Sequence, residues 1–230
     1  MKKEHPILFS LPMVQAILED RKKQTRRICK HQHWTHSELT DVNINKIIQK
    51  VDRNVSCPYG QPGDLLWVRE TFTEWPKGEF QFRASTRSGD ELGKWKPSIH
   101  MPKAAARIWL EITEVKVERL QAISEGDAKA EGIKLHSGGQ HYLDYIAEAY
   151  NTTQFIYRLR SAKDSFKTLW QLVNERNKSF IEVHGIRWSD NPWVWVVKFK
   201  VISTNGKPEI CYKTNEVCKY DCKGLCRESM

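Results

Sequence analysis

The sequence predicts an α+β fold: a small, mostly antiparallel β-barrel with flanking helices and inserted loops. Strand and helix patterns do not alternate regularly along the chain, which disfavours a parallel doubly wound sheet. The strand patterns at 106–117 and 193–201 are long and apolar, and peripheral helices accompany them, as in small antiparallel barrels. With 230 residues and 40% hydrophobic residues, the chain is long and apolar enough for one domain with additions.

The N-terminal elements are a strand followed by a helix. The apolar run at 7–9 predicts a first strand, and Ser10 is a typical N-cap before Pro12. Apolar residues at helical spacing continue to Leu18, so we expect the helix to end near Asp20. We then expect a loop over 21–30, where cationic side chains could converge on a ligand.

The remaining elements follow from turn residues and apolar periodicity. Gly, Pro and Asp mark turns before the apolar strands, and Ser124 is a typical N-cap for a short helix with acids in its first turn. An amphipathic helix is indicated by Phe166, Leu169, Trp170 and Val173. We predict strands at 65–68, 80–83, 106–117 and 193–201, a long loop at 85–103, helices at 124–130 and around 166–173, and an inserted loop with a helix at 134–160.

The charge distribution indicates a phosphate-rich partner. The net charge is +9, and the segment from Arg21 to Lys30 holds six basic residues and no acid. Nucleic acid is the natural counter-charge for such a cluster, although an ordinary solvated basic face has the same composition. The nine Trp residues can supply core area or stack on bases.

No apolar run approaches the length of a membrane span, and the N-terminus lacks the features of a signal peptide. The sequence therefore predicts a soluble, cytoplasmic protein without a membrane partner. It does not predict an oligomeric state.

Residues 20–27 resemble the signature of the ASCH family, Gly-x-Lys-x-x-x-x-Arg with Thr two positions before the Arg. Lys22, Thr25 and Arg27 match this signature, whereas Asp20 stands in place of the Gly. Asp can still adopt the left-handed conformation for which Gly is suited. Three further blocks, covering 62–70, 106–133 and 166–201, resemble the family's remaining elements in the same order.

The resemblance implies a PUA-like barrel of five or six strands. The resemblance covers roughly half of the chain. Within the family, the chain resembles phage-encoded members and bacterial N4-acetylcytidine amidohydrolases. This resemblance implies an ASCH domain over 1–202 with insertions at about 31–58 and 134–160, followed by a Cys-rich tail over 203–230. If the protein is phage-encoded, it would act in the cytoplasm of the bacterial host.

The resemblance also implies catalytic roles. In the amidohydrolases the signature Lys accepts a proton, the Thr is the nucleophile and a Glu of the short helix donates a proton. By position these residues are Lys22, Thr25 and Glu131, with Glu125 as an alternative to Glu131. The residues expected to bind substrate are Arg27, Arg26, Arg21 and Arg69, although Arg69 could instead form a surface ion pair.

Three functions remain open at this level. The first is an amidohydrolase that cleaves the amide C–N bond of a modified nucleoside, most simply N4-acetylcytidine, without a required cofactor. The second is a non-catalytic module that binds RNA or modified DNA, and a virion-associated structural role is a third reading.

The C-terminal tail contains four cysteines that could hold a metal ion, at Cys211, Cys218, Cys222 and Cys226. Four thiolates suit a structural zinc, and an iron–sulfur cluster is the alternative. No pair has the Cys-x-x-Cys spacing, so free thiols in a mobile tail are also consistent with the sequence.

Overall fold

The computed structural model describes residues 2–29, 57–86, 93–150, 156–174 and 187–208. Within these ranges the chain has an α+β fold, which confirms the predicted class. The α-helices are α1 (Leu11–Leu18), α2 (Glu125–Ala130), α3 (Tyr145–Tyr150) and α4 (Ala162–Asn174). The strands are β1 (Glu4–Leu8), β2 (Gln24–Ile28), β3 (Leu65–Arg69), β4 (Phe72–Glu74), β5 (Phe80–Phe82), β6 (Trp109–Arg119), β7 (Tyr142–Leu143), β8 (Tyr157–Leu159) and β9 (Trp193–Ser203).

The main sheet has five strands in the order β1-β3-β6-β9-β2. β1 runs parallel to β3, whereas β3 pairs antiparallel with β6 and β2 pairs antiparallel with β9. β4 pairs with β5, and β7 pairs with β8, in separate two-stranded sheets.

Among the described strands the sheet is open, which corrects the expectation of a closed barrel. Closure requires the two edge strands of a sheet to pair with each other. β1 and β2 are the edges here, and neither pairs with the other. β4, β5, β7 and β8 form the two small sheets and do not extend the main sheet, which has five strands.

The chain divides into two compact units, which are described separately. The first unit comprises 1–15, 59–113 and 199–230, and the second comprises 16–58 and 114–198. A hydrophobic cluster in the first unit holds β3 and the β4–β5 hairpin together with the segment at 101–106. Its buried members are Leu65, Phe72, Met101, Ala105, Ala106 and Trp109.

The second unit is organised around α4, which packs against α2 and α3. The amphipathic pattern predicted for α4 is confirmed for Phe166, Leu169 and Trp170, which are buried, whereas Val173 near the end of the helix is exposed. The Phe166 ring contacts those of Trp170 and Trp188 at centroid distances of 6.3 and 6.2 Å. This unit contains the basic segment that follows α1.

The predicted loop over 21–30 is wrong, because its central residues form β2. Thr25 and Arg26 pair with Val197 and Val196 of β9, and the register is continuous from Gln24 to Ile28. The sequence of β2 lacks the apolar alternation typical of a strand because several of its residues are charged. Such residues can still form a strand, since β-propensity depends strongly on packing against neighbouring strands. β9 supplies those neighbours.

Parts of the two proposed insertions lie outside the described residues, as do the four cysteines of the tail. The domain boundaries and the metal site in the tail therefore stay predictions. In the described part of the chain, no helix combines the length and the apolar character that a membrane span requires.

Candidate active site around Lys22 and Glu131

The turn that delivers Lys22 is a helix C-cap of the Schellman type. The Asp20 amide donates to the Ile17 carbonyl, and the Arg21 amide donates to the Ala16 carbonyl, at 3.0 and 2.9 Å. Asp20 has φ 59°, the left-handed conformation that such a cap places after the helix. Asp20 thus adopts the conformation for which the family signature uses Gly.

From this turn, alternate side chains point toward α2 and the residue that follows it. The Lys22 ammonium and the Arg26 guanidinium both bond the Glu131 side chain, and the Gln24 amide group donates to the Asp127 carbonyl at 3.0 Å. Successive side chains of an extended chain point to opposite faces. Lys22, Gln24 and Arg26 therefore share one face.

Glu131 reaches this face because α2 ends directly at the basic segment. Glu131 is the C-cap of α2 and forms an isolated antiparallel bridge with Lys22. Gly132 follows with φ +89°, and a Cβ there would lie 2.8 Å from the Ala16 Cβ and 2.9 Å from the Lys22 Cβ. The close approach of the two segments therefore requires glycine at position 132.

Lys22 and Glu131 form a buried ion pair. Lys22 Nζ donates to Glu131 Oε2 at 2.9 Å and to the Glu131 carbonyl at 2.8 Å. The two residues are 1% and 2% exposed. In an environment this dry, the attraction between the ammonium and the carboxylate is much stronger than it would be in water.

Burial lowers the pKa of Lys22, against the opposing effect of Glu131, and the charges of Arg27 and Arg26 lower it further. Removing a charge from water favours the neutral amine, whereas a neighbouring carboxylate favours the ammonium. The net lowering brings Lys22 closer to the condition in which a lysine can accept a proton.

Arg26 joins Glu131 to two further acids. Its Nη1 donates to Glu131 Oε1 at 3.0 Å, and its Nη2 donates to Glu118 and lies 3.7 Å from Asp127 Oδ2. Lys116 Nζ contacts the other Glu118 oxygen at 2.8 Å. Within these contacts, three cations including Lys22 face three carboxylates.

The other predicted residues occupy different positions. Thr25 is buried, and strand alternation places it with Arg27 on the face of β2 opposite Arg26. Arg21 lies beside the site and donates to the Gly132 carbonyl. Arg69 belongs to the first unit, where it donates to the Ile99 carbonyl and its guanidinium lies 5.6 Å from the Trp67 ring centroid.

Glu125 caps a helix. Its carboxylate accepts hydrogen bonds from the amides of Ala162 and Lys163 at 2.8 and 3.2 Å and from the Ser161 hydroxyl. Although burial opposes ionisation, these donors outweigh it and lower the pKa of Glu125. Of the two candidate acids, Glu131 is the one that contacts Lys22.

Sequence reasoning missed three residues at this site: Glu118, Asp127 and Gly132. Sequence alone identifies Asp127 only as one of the acids in the first turn of the short helix. The available signal was the spacing of Asp127 and Glu131, which puts both on one face of α2 and its C-cap. Nothing in the sequence connected Glu118, near the end of β6, to Arg26.

Among the described residues, no group of three or more His, Cys, Asp or Glu side chains is arranged to hold a metal ion. The arrangement around Lys22 and Glu131 can transfer protons and stabilise charge, since it combines an amine, a carboxylate and a guanidinium. The four cysteines predicted to bind zinc lie outside the described residues.

Comparisons with known proteins add little beyond this geometry. No family model and no curated protein matches the chain. An ASCH domain from Lactobacillus crispatus JV V101 is 14% identical, with 87% of this chain and 80% of that chain covered and a TM-score of 0.35. A DUF984 protein from Enterococcus faecalis V583 is 10% identical, with 91% and 86% covered and a TM-score of 0.37.

At these TM-scores the two similarities carry no argument about function, and the chemistry of the site must be judged from its own contacts.

Proposed function

We propose that this protein is an amidohydrolase that removes the acyl group from an N4-acylated cytosine derivative, most simply N4-acetylcytidine. The observation that supports this most directly is the 2.9 Å contact between Lys22 Nζ and Glu131 Oε2 in a buried environment. A lysine with a lowered pKa can accept a proton, and the carboxyl group beside it can pass a proton to the leaving amine.

The proposed reaction consists of proton transfers and one acyl transfer. The neutral Lys22 amine accepts the Thr25 hydroxyl proton while the Thr25 oxygen bonds to the acyl carbon. The amide C–N bond then breaks, and a proton delivered through Glu131 completes the exocyclic amine of cytosine. Water hydrolyses the Thr25 ester to acetate, and no cofactor is needed.

Thr25 is the part of this scheme that needs its own test, because it lies on the other face of β2 from Arg26. If Thr25 is the nucleophile, Thr25→Ala abolishes turnover and Thr25→Ser retains part of it. If Thr25→Ala keeps wild-type activity, the nucleophile is instead a water molecule activated by Lys22.

The decisive experiment is release of cytidine from N4-acetylcytidine by the purified protein. Lys22→Met and Glu131→Gln should each lower kcat by about 100-fold or more, the range typical of general acid–base groups. Lys23→Met is the matched control, since Lys23 is exposed and lies next to Lys22 in the chain. The proposal fails if wild-type protein turns over no acylated nucleoside, nucleotide or oligonucleotide.

A second candidate function is recognition of RNA or modified DNA without bond cleavage. Its support is the contrast between the buried Lys22–Glu131 pair and the cations beside it: the side chains of Arg21 and Lys23 are 30% and 47% exposed. Exposed cations bind phosphates and release counterions. This reading predicts oligonucleotide binding that weakens with salt and with Arg27→Ala, and no binding at low salt would exclude it.

A further inference from the structure

The surroundings of Arg26 differ from those of a substrate-binding cation. Its side chain has 0% exposure, although it carries a full positive charge. The guanidinium is directed at Glu131, Glu118 and Asp127. An arginine that binds a phosphate or an oxyanion presents its donors to a cleft, whereas the terminal nitrogens of Arg26 contact carboxylates of its own chain.

We propose that Arg26 is a positioning residue that holds one oxygen of the Glu131 carboxylate so that the other faces the Lys22 amine. Arg26 Nη1 donates to Oε1 at 3.0 Å, and Lys22 Nζ donates to Oε2 at 2.9 Å. Its catalytic meaning rests on the deacylase function proposed above, but the positioning itself can be tested without turnover.

The geometry supports this role because two donors from different sides restrict the rotation of the carboxyl group. Arg26 is itself fixed by Glu118, by Asp127 and by the Phe166 ring, whose centroid lies 5.9 Å from the guanidinium carbon. β6, α2 and α4 therefore all contribute to the placement of Arg26. A side chain held on three sides fixes its partner more firmly than a mobile surface arginine would.

Arg26 also divides the negative charge of Glu131 between two cations. The charged groups that act on Lys22 are Glu131, Arg26 and Arg27, and those that lie against Arg26 are Glu131, Glu118 and Asp127, with Lys116 paired to Glu118. Replacing Arg26 by Gln removes a positive charge near Lys22. It also removes the Arg26 hydrogen bond to Glu131, so that the negative charge of this carboxylate acts more strongly on Lys22. Both changes stabilise the Lys22 ammonium and reduce its ability to accept a proton at neutral pH.

The test compares wild-type protein with Arg26→Gln and Arg26→Lys. With N4-acetylcytidine as substrate, Arg26→Gln should lower kcat at neutral pH by about 10- to 100-fold, and the rising limb of the kcat profile should move to higher pH. KM should change little. Arg26→Lys should restore part of the loss, because it keeps the charge and loses the two-pronged geometry.

A second readout follows Lys22 directly, by NMR titration of its ¹³Cε signal, assigned by its disappearance in Lys22→Met. The proposal predicts that the Lys22 titration moves to higher pH in Arg26→Gln and by a smaller amount in Arg26→Lys. If Arg26→Gln does not fold, Arg26→Lys alone still decides the matter. A Lys22 titration unchanged in the folded variants overturns the proposal.

The two proposals fail in distinguishable ways. Wild-type protein without turnover removes the deacylase function, yet a shifted Lys22 titration still supports the positioning role of Arg26. Wild-type turnover combined with a raised KM and an unmoved pH limb in Arg26→Gln makes Arg26 a substrate-binding residue and overturns the positioning role.

Discussion

The two units each bury a glutamate against a cation, and the cations differ in a way that matters for chemistry. In the first unit, Arg107 Nε and Nη2 each donate to one oxygen of Glu70 at 2.9 Å, and Arg107 lies over the Phe82 ring. In the second unit, the Glu131 oxygens are shared between Arg26 and Lys22. A guanidinium keeps its proton in proteins, whereas a buried ammonium can lose one.

Burial of a charged pair therefore does not by itself indicate a reactive site. The Glu70–Arg107 pair satisfies both carboxylate oxygens with a cation that does not titrate, so its role is structural. The Glu131 site couples a carboxylate to a lysine whose pKa burial lowers. The variants below test this difference, beginning with the largest expected effect.

Breaking the Glu70 pair should cost more stability than breaking the Glu131 pair. Arg107→Met leaves both oxygens of buried Glu70 without their cation, so the free energy of unfolding should fall by about 3–5 kcal/mol. Lys22→Met should cost less, because Arg26 still donates to Glu131. Urea unfolding of both variants measures the difference, and an equal or larger loss for Lys22→Met would contradict the comparison.

Gly132→Ala should destabilise the protein by about 2–4 kcal/mol through backbone strain and through contact with Ala16 and Lys22. The matched control is Gly139→Ala: Gly139 also has positive φ, +76°, but a Cβ there meets no atom within 4 Å. The control should lose only about 1–2 kcal/mol, from the backbone. If thermal or urea unfolding shows the same loss of stability for both variants, Gly132 does not lie in close contact with Ala16 and Lys22.

The lowered pKa of Lys22 should make the stability of the protein depend on pH. Burial lowers the pKa of folded Lys22 below its ordinary value of 10.5, so the unfolded chain holds this proton to higher pH. The free energy of unfolding should then rise with pH between the folded pKa and 10.5, by at most about 1.4 kcal/mol per pH unit.

The measurement is urea unfolding at several alkaline pH values for wild-type protein and Lys22→Met. Subtracting the Lys22→Met curve isolates the contribution of Lys22, since the other titrating groups are common to both proteins. A flat or falling difference curve would mean that the pKa of Lys22 is not lowered.

The smallest effect concerns the turn before Lys22. Asp20→Gly should stabilise the protein by about 0.5–1 kcal/mol, because glycine adopts the left-handed conformation without a side-chain penalty. The substitution also removes the ion pair between Asp20 and Lys23, but both side chains are exposed and such pairs contribute little. Asn191 also has positive φ, at 47°, but its Oδ1 accepts a hydrogen bond from the Gln121 amide at 2.8 Å. Asn191→Gly should therefore destabilise, and thermal unfolding that ranks the two variants the other way would contradict this.

Much of the fold could be predicted because its signals are local. Ser124 caps α2 as expected, with its hydroxyl oxygen accepting from the Asp127 amide at 3.0 Å, and apolar periodicity located α4 and β9. β2 could not be predicted, because it depends on a partner far along the chain and its own residues are mostly polar or charged. Closure of the sheet is likewise a property of all strands together.

The residues that could do chemistry were evident from the amino-acid sequence: a lysine in a basic segment after a helix cap, and glutamates on a short helix. Which of these residues contact one another depends on the tertiary fold. Glu131 contacts Lys22, Glu125 caps α4, and Arg26 turns inward to three carboxylates. Residue type and spacing define what a side chain can do, whereas its burial and charged neighbours come from segments distant in sequence, and these set its protonation and its role.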